Sequence, residues 1–167
     1  EGGLTNNNKI QATTQLGGLL DGEWHHYAFT YDGSSTLAGL TIYVDGAAQA
    51  VEDTFDAASN SMLTTDPFTV GRGPGAPGGG VFYSPGHRFD EIAVWSAELT
   101  AEQMDAIYNG GIPIDLLALD SADGLVGYWR MGEGATFPTI PDLSGNGNDG
   151  TMTNMEAGDI VADAPGL

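Results

Sequence analysis

The sequence predicts an all-β protein, a two-layer antiparallel β-sandwich carrying one short helix near residues 100–109. Three observations predict it. Asp-Gly occurs five times, at Asp21-Gly22, Asp32-Gly33, Asp45-Gly46, Asp123-Gly124 and Asp149-Gly150, and such pairs tolerate the positive φ that tight hairpin turns require. The segments between these pairs alternate with the period of a strand. Gly (26) and Pro (8) are abundant for a helical protein but suit short strands joined by tight turns, and 167 residues that are 41% hydrophobic suffice for one domain with a buried core.

The elements follow in chain order. Residues 24–31 place Trp24, His26, Ala28 and Thr30 on one face and His25, Tyr27, Phe29 and Tyr31 on the other. Residues 40–44 set Leu40, Ile42 and Val44 against Thr41 and Tyr43, and Asp45-Gly46 then turns the chain into a partner at 47–51. Further strands are expected at 68–71, 88–95, 125–131 and 150–154. The run GPGAPGGG at 73–80 reads as a flexible surface loop; it lacks the Lys-Ser/Thr of a phosphate-binding loop. One helix interrupts the strands. Thr100 and Gln103 have the spacing of a capping box, Leu99 can staple to Met104, and Met104, Ile107 and Tyr108 form an apolar stripe before Gly110 and Gly111 stop it.

Charge excludes several functions. Four basic residues (Lys9, Arg72, Arg88 and Arg130) face 23 acidic ones, a net charge of −19. A nucleic-acid backbone needs clustered Lys and Arg, and these four are scattered, so nucleic acid is excluded as a partner and anionic lipid is disfavoured. No run is long and apolar enough to predict membrane insertion. An acidic surface suits solubility, high salt and divalent cations. With no Cys there is no disulfide, thiolate nucleophile or zinc–thiolate site, and an extracellular home stays open. Because the sequence begins at Glu1 rather than Met, a preceding segment is expected, and the lack of a targeting segment carries no information about location.

Three stretches together carry a resemblance. DGEWHHYAFTYDGSSTLAGLTIYVDG at 21–46 pairs two strands, with Trp-His opening one and Tyr-Val-Asp-Gly closing the next. FDEIAVWSAELTAEQMDAIY at 89–108 joins an Asp-Glu strand to the short helix. GYWRMGEGATFPTIPDLSGNGNDGTMTN spans 127–154. The combination, about half the chain, resembles the laminin G-like, pentraxin-like branch of the concanavalin A-like lectin/glucanase superfamily. That implies a concanavalin A-like jelly roll. The order departs from the family: the stretch that normally opens the domain here closes the chain. Either the tail begins a second, truncated copy, or the domain is circularly permuted. The second is preferred, because the aromatics of 125–131 need sheet neighbours at once. Residues 1–115 are then a sandwich lacking its first strands, 116–124 a linker, and 125–167 strands that complete the same sandwich. Similar arrangements in environmental bacteriophage structural proteins make a virion source an alternative to a secreted or cell-surface one.

The best chemical motif lies at 142–150. Asp142, Ser144 and Asn146 put side-chain oxygens at alternate positions with Gly147 at the sixth, as in the first half of a calcium loop, but Thr153 stands where an EF-hand has its bidentate Glu. The resemblance implies calcium held by Asp142 with Asp90, and Asn146 and Asn148 as supporting ligands. Catalysis is not expected. On a strand, Asp90 and Glu91 face opposite ways, so each face holds one acid, whereas a retaining glycosidase needs two carboxyls about 5 Å apart. His25 and His26 diverge on their strand, His87 falls in a loop, and neither a His-Glu-x-x-His helix nor a Gly-x-Ser-x-Gly elbow occurs. The strand positions of Tyr27, Tyr31, Tyr43, Trp95, Tyr128 and Trp129 predict burial, which leaves Phe82 and Tyr83 as exposed aromatics. The expected function is a non-catalytic recognition or adhesion module of a larger surface or virion protein, binding glycans with calcium, or else a structural decoration or fibre domain packing on neighbouring proteins or on its own copies.

Overall fold

The computed structural model describes residues 10–14, 21–56, 67–76, 80–83 and 88–161. The strands are β1 (Ile10–Thr13), β2 (Tyr27–Tyr31), β3 (Leu40–Val44), β4 (Ala47–Ala48), β5 (Glu52–Asp56), β6 (Arg72–Ala76), β7 (Gly80–Tyr83), β8 (Ile92–Trp95), β9 (Leu125–Trp129), β10 (Thr139–Ile140) and β11 (Gly150–Thr151), with the helix α1 (Ala101–Tyr108) between β8 and β9. Every ladder is antiparallel: β1 with β5, β2–β3–β4, β6 with β7, β8 with β9, and β10 with β11. The all-β class with one short helix is as expected. Among the described residues no helix is long and apolar enough to cross a membrane.

The Asp45-Gly46 turn does what its sequence predicts. Both residues adopt positive φ (48° and 75°), and β3 turns back into β4 with Val44 opposite Ala47. The turn is also a docking point. A Cβ on Gly46 would sit 2.6 Å from the Tyr108 ring, so the close approach of α1 requires glycine there. At the start of α1, both halves of the capping box form: Thr100 Oγ1 accepts from the Gln103 N–H and Gln103 Oε1 from the Thr100 N–H. Asn109, left-handed at φ 45°, ends the helix one residue before the glycines expected to stop it.

Several boundaries differ from the sequence expectation. Residues 68–71 form no strand. Ladder pairing starts at Arg72 and runs through part of the glycine run expected as a loop, since backbone pairing needs no side chain. Pro74, which has no N–H to donate, falls within the register shift between Gly73 and Ala76. The strand expected from 88 begins only at Ile92, because Glu91 turns left-handed at φ 51°. Met131 (φ 46°) likewise ends the 125–131 strand at Trp129, and the 150–154 strand is two residues long.

Leu116, Leu125 and Tyr128 form a buried cluster, with Ala93, Trp95, Ile107, Ile114 and Leu119 packed around it. The segment expected as a linker at 116–124 is therefore a packed connection. It folds into two 3₁₀ turns, Leu116 contributes to the core, and the Ser121 carbonyl accepts from Trp95 Nε1 at 3.0 Å. Leu116→Ala is expected to lower unfolding free energy in urea by about 3 kcal/mol; a freely solvated linker position would change it by less than about 0.5 kcal/mol.

Candidate functional site

The loop between β10 and β11 holds three of the four residues singled out as calcium ligands, and it closes one edge of β9. Among the described residues that strand pairs with β8 alone, so its other edge would present unpaired N–H and C=O groups. The loop supplies the partners. Asp142 Oδ1 accepts from the Tyr128 N–H (2.9 Å), and the Leu143 N–H donates to the Tyr128 carbonyl (2.8 Å). Ser144 Oγ, Asn146 Nδ2 and Asn148 Nδ2 all donate to the Val126 carbonyl, and Asn146 Nδ2 also reaches the Leu125 carbonyl. Asp142 fixes the loop itself as well: Oδ1 also accepts from the Ser144 N–H and Oδ2 from the Asn148 N–H, each at 2.9 Å. Burial opposes ionisation of Asp142, but the hydrogen bonds from Ser144, Tyr128 and Asn148 outweigh it and hold the carboxyl below its usual value.

Asp142, Asn146 and Asn148 are thus brought together. Asp90 is placed differently, next to the 130–133 turn. Its Oδ1 accepts from the Glu91 N–H, and the charges acting on it come from Glu91, Glu133 and Arg130. Burial, reinforced by Glu91 and Glu133, raises its carboxyl above the usual range. A calcium ion takes six to eight oxygens. The loop offers two carboxylates, Asp142 and Asp149, whose described hydrogen bonds come from backbone N–H groups, together with the Oδ1 atoms of Asn146 and Asn148. Among the described residues no group of three or more Asp, Glu or His side chains is arranged to hold a metal.

Asp90 and Glu91 do not occupy opposite faces of a strand, as their sequence suggests, since both precede β8. The left-handed turn at Glu91 carries its side chain to β9. One oxygen accepts from Arg130 Nε at 2.8 Å and the other from the buried Tyr128 hydroxyl. Arg130 also contacts Glu133 at 3.0 Å. The histidines diverge. His25 lies between Asp45 (2.9 Å) and Asp21 (3.2 Å), and these hydrogen bonds raise its pKa, while His26 packs on Tyr108 and burial lowers its own. The side chains of Phe82 and Tyr83, and the whole of His87, lie outside the described residues.

Sequence reasoning missed part of the aromatic surface. Tyr43 and Tyr128 are buried as expected, but Tyr27 is exposed and Phe29 is 74% exposed, on the same face of β2. That face is lined on β3 by Leu40, Ile42 and Val44. Trp129 lies across Gly127, donates Nε1 to the Asn148 carbonyl (2.9 Å) and stacks on Phe68, with ring centroids 6.0 Å apart and 21° between planes. Phe68 is 65% exposed. It lies in the segment 68–71, whose sequence reads as a short strand, so nothing local marked its ring as exposed.

Compared with known proteins, residues 3–105 match the family model of the concanavalin A-like lectin/glucanases superfamily. No curated protein matches the sequence. The chain is similar, at 22% identity and a TM-score of 0.42, to the crystal structure of a candidate carbohydrate-binding protein from Bacteroides ovatus ATCC 8483; the match covers 86% of this chain and 37% of that one.

Two outcomes follow from the loop and from Asp90. Asp142→Ala removes an acceptor shared by three backbone N–H groups and is expected to cost about 3 kcal/mol in chemical denaturation. Asp90→Asn keeps the acceptor for the Glu91 N–H and removes a charge. The folded Asp90 carboxyl holds its proton to higher pH than the unfolded one, so its ionisation destabilises the fold as pH rises through the raised value. The variant should melt above the parent at pH 7 and alongside it below pH about 3, where both states are protonated; equal melting at both pH values would contradict the placement of Asp90.

Proposed function

The chain belongs to the concanavalin A-like lectin/glucanase superfamily, and from that membership we propose that it is a non-catalytic carbohydrate-binding module within a larger surface or virion protein. The superfamily holds both lectins and glucanases, so the acids decide between them. Hydrolysis of a glycosidic bond asks for one carboxyl free to give a proton and another free to attack or to activate water. Glu91, the family-motif acid nearest that role, is held by Arg130 and the Tyr128 hydroxyl. Asp142 is engaged by three backbone N–H groups. Asp90, which burial keeps protonated to higher pH, has as its neighbouring acids Glu91 and Glu133, both paired with Arg130; the lack of a second free carboxyl beside it among the described residues is the observation that carries the non-catalytic reading.

Calcium is the finer part of the proposal. Asn146 and Asn148 turn their amide nitrogens onto strand carbonyls, and their Oδ1 atoms accept no hydrogen bond among the described residues. With Asp142 and Asp149 these oxygens supply a hard-cation donor set of the weak kind found in extracellular modules. A second reading, a structural module that packs on a neighbouring protein, is favoured by the exposed rings of Tyr27 and Phe29 on one sheet face.

One experiment separates these readings. The chain is titrated with a polysaccharide panel, with calcium and with chelator, while reducing ends are measured in parallel. Binding without release of reducing ends is expected, and stronger binding with calcium. Release abolished by Glu91→Gln would overturn the non-catalytic reading. Binding indifferent to calcium removes only the metal. No binding to any glycan, together with a stable assembly by sedimentation, would favour the packing module.

A further inference from the structure

We infer that the stacked Phe68–Trp129 rings and the adjoining 145–149 turn form the sugar subsite, and that it accepts a neutral pyranose rather than a sulfated, sialylated or uronic one. The inference rests on the carbohydrate-binding reading above. A pyranose has an apolar face of C–H groups and a rim of hydroxyls. Its binding surface therefore needs a flat ring for the face and hydrogen-bonding groups at the ring's edge.

Both occur together here. Phe68 presents an exposed ring whose other side rests on Trp129. Trp129 is fixed from beneath, because its ring occupies the space that a Cβ on Gly127 would need, and from the side by its hydrogen bond to the Asn148 carbonyl. A platform set before the ligand arrives avoids much of the ordering cost of binding. That hydrogen bond ties the ring edge to the exposed turn that carries Asn146, Asn148 and Asp149. In the metal-free protein the two amide oxygens there, whose Nδ2 atoms are turned onto strand carbonyls, have no partner among the described residues and can accept from sugar hydroxyls.

Charge selects the sugar class. Asp149 follows Asn148, whose carbonyl accepts from the Trp129 ring edge, and Asp142 Oδ2 accepts from the Asn148 N–H at 2.9 Å, so both charges sit on the turn that borders the ring and are little screened there. Just past the end of β9, the Arg130 guanidinium, which would be the natural partner of a sulfate or carboxylate, is paired with Glu91 and Glu133. The protein as a whole carries −19. In the metal-free protein an anionic sugar meets repulsion at this site and a neutral one does not, so the sugar class is read in chelator, where no cation offsets Asp142 and Asp149.

The test titrates the chain, by calorimetry, with neutral polysaccharides (a β-glucan, a mannan and a galactan) and with dextran sulfate and a sialylated oligosaccharide. It is repeated with Phe68→Ala, Phe68→Tyr and, as a control on the β2 face, Phe29→Ala, each checked for folding by circular dichroism. A neutral polysaccharide should bind, with affinity falling about tenfold or more in Phe68→Ala and staying within about threefold in Phe68→Tyr and Phe29→Ala. Neutral binding that survives Phe68→Ala overturns this subsite and leaves the carbohydrate reading standing. Preference for dextran sulfate overturns the sugar class. Failure to bind any glycan overturns the carbohydrate reading itself, and this inference with it.

Discussion

The organisation of the C-terminal half depends on one carboxylate. Asp142 takes hydrogen bonds from Tyr128 on β9 and from Ser144 and Asn148 in its own loop. It therefore defines the loop and attaches it to the strand in the same act. With that attachment made, Ser144, Asn146 and Asn148 reach the carbonyls of Leu125 and Val126, and Trp129 finds the Asn148 carbonyl. β9, held along one edge by β8 and along the other by the loop, brings Leu125 and Tyr128 into the core beside Leu116. Hydrogen bonds to an ionised acceptor are about twice as strong as neutral ones, which suits a single residue to this central position.

A second constraint is the scarcity of cations. With four basic residues against 23 acidic ones, ion pairing is concentrated. Arg130 serves both Glu91 and Glu133, and Glu91 in turn orients the Tyr128 hydroxyl. Two other carboxylates are met by backbone N–H groups and by histidine: Asp32 by the Ser34 N–H, and Asp45 by the His26 N–H and the His25 ring. Asx turns and caps do in this protein what salt bridges do in a less acidic one.

What the sequence made legible was local. The Asp45-Gly46 hairpin and the Thr100/Gln103 cap are decided within a few residues, and both form as their chemistry dictates. The family was readable from three motifs for the same reason. What was not legible depended on distant partners. The β1–β5 ladder joins residues some forty positions apart, and no pattern in either strand names the other. Pairing in the glycine run is a backbone property that side-chain periodicity does not report. Glu91 looked like a strand residue because its neighbours are one, and only its left-handed backbone reveals that it turns to β9. Alternating oxygens at 142–148 read as a metal loop, yet the same spacing also suits an edge of backbone carbonyls one strand away. For the site, the sequence located the loop; it did not locate Phe68, whose role depends on a Trp 61 positions distant.

The closed edge of β9 has a consequence for proteins that carry many copies of such a module at high local density. An open strand edge recruits other strands, and crowded repeats then fuse into continuous cross-strand aggregates. Here the outer edge of β9 is shut by loop side chains of the same domain, so at this edge neighbouring copies meet a polar turn instead of a template. In a tight array, cross-strand fusion through this edge is thereby blocked.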